Sequence, residues 1–440
     1  MTSVSRSPGG GRSTRASLGL LVGLPLVAWQ VAFESSVASR FPDGTGTQTH
    51  AAASRPGGPL VRVGVAVDRE KVILFSPGGL RLEDTLTGQP AGELEPGGRL
   101  VASANGAVLR LAGDLPGAIP GVPSVRVYPV RGDEAVYVDG RPYRGWAELR
   151  LSGAGRVSAI NELSLEDYLL GVVPLEIGPR EIDELAAVAA QAVAARTYAV
   201  AHLGGHVESG FDLFGSVEDQ VYGGLAAERD ESTLAVRRTA GQILVFEGRP
   251  IRAYYHSTCG GRTAAIEEVL DRDPAPYLQS VPDHGPDGSD YCSASPRYQW
   301  NVVWSRSELD ETSRAGLAAH FGASASDFGT VEGLDIVRRT ASGRVRDLAF
   351  RGAGLELVLN RLDIRRVLTH DGRILNSTDF SIADRADGLV ELRGRGYGHG
   401  AGMCQWGAIG RARAGQGFEQ ILTTYYPGAV LVNVYEGDDG

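Results

Sequence analysis

Between residues 60 and 140 the chain repeatedly alternates apolar and polar side chains over short stretches: LVRVGVAV, KVILFS, RLVASA, AVLRLAG, SVRVYPV and EAVYVDG. Glycine-bearing turns, SPGG, EPGG and SANG, punctuate them. A period of two sends one face of a strand into a core and the other into water, and the Pro-Gly and Asn-Gly pairs supply tight reversals. Residues 60–155 therefore read as a β-rich region of consecutive short strands. The stretch WAELRLSGAGRVSAINEL continues them, and at SLEDYLLGVV the period changes towards a helix.

The clearest helix follows Pro179, over about residues 181–201, EIDELAAVAAQAVAARTYAVA. Acidic residues at its start suit the positive end of the helix dipole. Its alanines let neighbouring backbones come close. Gln191 and Tyr198, seven residues apart, share a face, whereas Arg196 points elsewhere. Beyond it, GQILVFEGRPIRAYYHS reads as two strands joined through Glu247 to Pro250, which delivers His256 to the end of the second. Residues 301–365 mix a helical stretch with further strands and carry no chemical pattern. Near the C-terminus LVELR, GRGYGHGAG and MCQWGAIGRARAG read strand, glycine loop, helix. The expected class is α+β: antiparallel β-rich residues 60–155, then a mixed domain over 156–440 with a central Ala-rich helix, in which the family resemblance given below implies a glycan-binding groove.

Charge and the N-terminus narrow the function. A net charge of −10 over 440 residues, with no basic stripe, excludes a nucleic-acid binder, whose affinity comes from Lys and Arg along phosphates. Arg6, Arg12 and Arg15 precede the uncharged run 16–33, the pattern of an export signal or signal anchor. The Gly/Ser/Thr/Pro-rich tract 34–59 then reads as a flexible tether. The protein is expected in the cell envelope, touching a membrane only through residues 16–33. Three cysteines, Cys259, Cys292 and Cys404, are too few for a disulfide-built scaffold; in an exported chain a Cys259–Cys292 disulfide is preferred to a zinc site with His256 and His284, whose spacing fits no known pattern.

Seven blocks in order, INELSLEDYLLGVVPLEIG, ELAAVAAQAVAARTYA, DQVYGG, AYYHSTCGGRT, PYLQSV, GRGYGHGAGMCQWGA and ILTTYYPG, resemble the stage II sporulation protein D (SpoIID/LytB) family from about Asn161 to the C-terminus. The resemblance implies lytic cleavage of peptidoglycan glycan strands stripped of their stem peptides, or enhancement of a cell-wall amidase. It also implies that Glu176, just after GVV, is the catalytic carboxyl group. Some members of the family hold zinc with His and Cys between the Ala-rich helix and QVY; here that stretch reads HVESGFDLFGSVEDQVYGG, offers only His206 and has no cysteine. No metal or other cofactor is therefore expected at the site. Cys404 stands where the resemblance implies a small residue such as Ser.

The residues suit that chemistry. A glycosidase that uses water needs two carboxyl groups. A lytic transglycosylase can use one, first as the acid that protonates the leaving oxygen and then as the base that takes a proton from the 6-hydroxyl of the sugar. Val172, Val173, Pro174, Leu175 and Ile177 surround Glu176 in sequence, and an apolar setting raises a carboxyl pKa. Glu166 and Asp167, at a helix start, are better suited to capping. His399, between Gly398 and Gly400, is expected at the catalytic centre in substrate contact or proton handling. Gln191, Arg196, Tyr198, Gln220, Tyr222, His256, Gln405 and Trp406 are expected to meet sugar hydroxyls, the lactyl carboxylate and ring faces. Gly396, Gly398 and Ala401 also fit a GxGxxA phosphate loop, but too little chain follows for a dinucleotide-binding domain.

Overall fold

The alternation of the N-terminal region resolves into two sheets. A computed structural model of the protein describes residues 58–115, 121–153, 155–322, 329–352 and 355–435; the expected export segment, and the tether apart from Gly58 and Pro59, lie outside them. One sheet has seven strands in the order Leu213–Phe214, Leu60–Arg69, Val157–Ser164, Trp146–Leu151, Ser124–Pro129, Leu80–Asp84 and Pro90–Leu94. All neighbours are antiparallel except the first pair. The other has five: Val108–Gly113, Arg99–Asn105, Lys71–Phe75, Val136–Val138 and Arg141–Tyr143. Period two decides which side chains go inside. Val61, Val63, Val125 and Val127 are fully buried, while Arg62 and Arg126 on the opposite face pair with Glu148 at 2.6 Å and Glu83 at 3.6 Å.

The third strand of the larger sheet, Val157–Ser164, runs directly into the first helix, α1 (Leu165–Ile177). Ser164 caps it, its Oγ accepting from the Asp167 N–H at 3.1 Å and donating to the Asp167 carboxylate at 2.9 Å. Helix α1 is apolar nearly all round because it is buried nearly all round. Gly171 lets the Tyr222 ring lie against the helix; a Cβ there would meet that ring at 2.6 Å. The Ala-rich helix α2 (Leu185–Ala201) starts later than its sequence suggests, because residues Ile182–Glu184 form a separate 3-10 turn that holds the acidic residues. Every residue from 187 to 200 is buried. Helix α2 packs against α1, α3 (Asp230–Arg238), strand Gln242–Phe246 and two helices from the C-terminal end.

Residues 299–395 build a core of their own. Helix α4 (Arg306–Phe321) and two three-stranded antiparallel sheets, Gln299–Trp304/Val390–Arg395/Phe380–Asp384 and Val331–Arg339/Val345–Gly352/Leu355–Asn360, enclose Trp304, Leu309, Leu348, Phe350 and Leu392. The chain then returns through the glycine loop to α5 (Gln405–Arg413) and α6 (Phe418–Tyr425), both against α2. Among the described residues, no helix is long and apolar enough to cross a membrane.

A candidate active site at Glu176

Glu176 lies in the last turn of α1, half-buried. The chain cannot continue the helix past it: Gly178 takes φ 74° and its N–H closes on the Pro174 carbonyl. Three other segments converge on the carboxyl group. The Val221 N–H donates to its Oε1 at 3.0 Å, and the side chains of Tyr255 and Gln405 hydrogen-bond to it as well. Burial raises its pKa above the ordinary carboxylate value, and these three donors pull partly in the opposite direction.

A network of amides and phenols supports the donors. Tyr168 donates to Gln220 Oε1 at 3.2 Å, and Gln220 Nε2 donates to the Tyr255 hydroxyl at 3.0 Å and to the Ala195 carbonyl at 3.3 Å. Gln405 Nε2 donates to Gln191 Oε1 at 3.3 Å. The Gln191 Nε2 amide is buried with no partner among the described residues, an unused donor on the side chain that Gln405 contacts. The sequence singled out Glu176, Gln191, Gln220 and Gln405 as candidate site residues, and the fold brings them together. Trp406, next in the chain, is half-buried with the Arg180 guanidinium 5.1 Å over its ring.

Tyr255 was not singled out in the sequence. Two residues of parallel pairing, Tyr255–His256 with Met403–Cys404, replace the long second strand expected there. Alternation in YYH puts Tyr255 on the face opposite Tyr254 and His256, and that signal was available. Tyr255 also carries His399: its carbonyl accepts from His399 Nε2 at 3.0 Å, while the Ala401 N–H donates to Nδ1 at 3.1 Å. Both ring nitrogens are therefore held by backbone, which fixes one neutral tautomer. Burial, then the charge of Arg365, pushes the imidazole down to about 4. His256 sits 5.5 Å from it, ring to ring, with Nδ1 on the Ala401 carbonyl at 3.1 Å and its buried Nε2 unpartnered among the described residues. Burial, with His399 and Arg344 nearby, holds His256 neutral.

Arg196 and Tyr222 are spent inside the protein. Arg196, fully buried, makes a bidentate pair with Glu166 at 2.7 Å on both nitrogens and donates to the Val236 and Gln242 carbonyls. Glu166 is thus an ion-pair partner, not the cap its position suggested. Tyr222 donates to Asn161 at 2.9 Å and packs between Tyr143 and Tyr168. Tyr198 donates to Asp219 at 3.0 Å and faces a separate cavity with His202, His206 and Tyr254. His206 lies 3.3 Å from Asp219, and no Cys is present in that stretch, so the zinc ligand set implied by the resemblance does not fit here.

The glycine loop is built for close approach. Gly402 adopts φ 71°, and a Cβ would stand 1.9 Å from the Tyr254 carbonyl oxygen; Gly398 lies against His256, and Gly400 lies under Arg344. A phosphate-loop reading fails on the start of α5, where the Trp406 N–H goes to the Ser257 carbonyl and the Gly407 N–H to Cys404 Sγ. Gly402→Ala is expected to cost at least about 1–2 kcal/mol from the left-handed backbone, seen as a lower urea midpoint, because the carbonyl cannot move without Met403, whose N–H it accepts at 3.1 Å. The cysteines differ from expectation: Cys259 and Cys292 are thiols with sulfurs 3.6 Å apart, Cys404 lies beside them, and neither His256 nor His284 joins them.

The model of the family described as Stage II sporulation protein matches residues 153–246, and that of a domain of unknown function matches 288–402. An uncharacterized protein of Brachyspira hyodysenteriae is 32% identical over 275 residues, 62% of this chain and 68% of that protein. The stage II sporulation protein D of Bacillus amyloliquefaciens is 30% identical over 299 residues, 64% of this chain and 76% of its own length. The amidase enhancer of Bacillus subtilis is 29% identical over 305 residues, but only 40% of that longer protein is covered. The chain belongs to the stage II sporulation protein D family.

Proposed function

We propose that this protein cleaves peptidoglycan glycan strands by a lytic transglycosylase mechanism, with Glu176 as acid and then base, on strands lacking stem peptides. The observation that carries the reading is the half-buried carboxyl group of raised pKa, ringed by amide and phenol donors with a free amide at Gln191. In its acid form Glu176 protonates the glycosidic oxygen. As a carboxylate it then takes the proton from the 6-hydroxyl, whose oxygen closes the 1,6-anhydro ring on the sugar it belongs to.

The other acids of α1 are committed, Glu166 to Arg196 and Asp167 to the Ser164 cap, which favours a single-carboxyl mechanism over two-carboxyl hydrolysis. His399 serves by positioning: it holds the Tyr255 backbone while the Tyr255 hydroxyl holds Glu176. Trp406 and Arg180 suit a sugar face and a lactyl carboxylate. The match to an amidase enhancer supports a second reading, in which the same cleft binds glycan and assists a cell-wall amidase. Either role belongs in the cell envelope, which the N-terminal segment is suited to reach.

Digestion of purified peptidoglycan, intact and amidase-stripped, with products resolved by mass spectrometry, tests the proposal. Anhydro-ended fragments from stripped strands are expected; glycan binding without fragments would leave the enhancer role. The pH dependence gives a second check. As the pH rises through the raised pKa, Glu176 loses the proton it must donate and cleavage falls. Tyr255→Phe removes one donor to the carboxylate, raises that pKa further and is expected to move the alkaline limb to higher pH. A limb that stays in place would remove Tyr255 from the acid's surroundings.

A further inference from the structure

Three thiols and one carboxylate meet in the interior, from segments remote in sequence. The ligand atoms of Cys259, Asp283, Cys292 and Cys404 all lie within 4.8 Å of one another, and all four residues are buried. Cys259 and Cys292 sulfurs are 3.6 Å apart, and Cys259 Sγ is 3.1 Å from Asp283 Oδ2. Zinc–sulfur bonds of ~2.3 Å in a tetrahedron put sulfurs about 3.8 Å apart, whereas a disulfide requires about 2.05 Å. The spacing therefore matches ligands around one ion.

The surroundings match too. Cys404 Sγ accepts the N–H groups of Cys259 and Gly407, each at 3.2 Å, and Cys292 accepts those of Gly260 and Gly261; such donors stabilise thiolates. Asp283 is oriented by its other oxygen, which accepts from the Tyr425 hydroxyl at 2.7 Å and from Arg411 Nε at 3.1 Å, leaving Oδ2 for the cluster. Arg411 and the fully buried Arg344, whose Nη2 donates to the Cys259 carbonyl at 2.9 Å, supply positive charge against the excess negative charge of three thiolates and a carboxylate around a divalent ion.

The geometry points to a structural zinc site formed by Cys259, Cys292, Cys404 and Asp283. It is independent of the glycan reading and separate from the His206 region. It would clamp the HSTCGG loop to the start of α5, where Cys404 immediately precedes the Gln405 that reaches Glu176.

The test is zinc content and thiol count on the full chain purified without reductant or chelator. The expected result is about one zinc per chain by elemental analysis, with all three cysteines alkylated in denaturant plus chelator and no reductant needed. Cobalt exchange is expected to give sulfur-to-metal charge-transfer absorption. Cys404→Ser, which places a family-like side chain there, is expected to lower zinc several-fold and weaken that absorption while circular dichroism is retained. A Cys259–Cys292 cross-linked peptide with one thiol left over would overturn the site, as would three thiols without metal in the wild-type chain. If Cys404→Ser fails to fold, the wild-type metal and thiol counts decide alone.

Discussion

Glu176→Gln is expected to eliminate anhydro-ended products from amidase-stripped peptidoglycan, a loss of at least roughly 10²–10⁴-fold, the usual contribution of a positioned acid–base group. The amide keeps the size of the carboxyl group and can still accept the Val221 N–H that now reaches Oε1 at 3.0 Å, so the fold and glycan binding should survive. What it cannot do is deliver or take the proton. Rate loss with unchanged binding in a pull-down on insoluble glycan distinguishes lost chemistry from a damaged cleft. Undiminished cleavage by the variant would displace Glu176 and the mechanism with it.

Arg196→Met is expected to destabilise the protein by about 3–5 kcal/mol, the usual result of removing one partner from a buried ion pair. Its guanidinium has no exposure, and the Glu166 carboxylate it holds is only 15% exposed. Loss of the cation leaves that carboxylate with the Tyr435 hydroxyl at 3.0 Å and the Gly241 N–H at 3.3 Å, and it also deprives the Val236 and Gln242 carbonyls of a donor. Chemical unfolding measures the loss. The double variant Arg196→Met with Glu166→Gln should recover part of it, since no charge is then stranded. Unchanged stability with lost glycan binding would instead return Arg196 to a substrate role.

These two arginine and glutamate positions also mark what could be read from the sequence. The period-two pattern was enough for the N-terminal sheets, and the Ala-rich run was enough for α2, because both signals are local. Glu176, Gln191, Gln220 and Gln405 were legible as candidate site residues through motif order, and the fold brings them together. Motifs do not distinguish a polar group that faces substrate from one that locks the interior, so Arg196 and Tyr222 looked like ligands for sugar and are bonded to Glu166 and Asn161. Tyr255 was legible only through the alternation in YYH, which sets it on the face opposite Tyr254 and His256 in a strand of two residues. The cysteines were misread for a different reason. Cys259 and Cys292 are 33 residues apart and Cys404 lies 145 beyond Cys259, and spacing alone does not reveal that three segments converge.

The strand Val390–Arg395 belongs to the core of residues 299–395, yet the loop it launches supplies His399 and leads to Gln405 beside an acid carried by α1. Of the groups around Glu176, the match over 153–246 contains Gln191, Gln220 and Val221, the match over 288–402 contains His399, and Tyr255 and Gln405 lie outside both. An excised 153–246 fragment would keep the acid and its Val221 donor and lose the Tyr255 and Gln405 side chains that also hydrogen-bond to it.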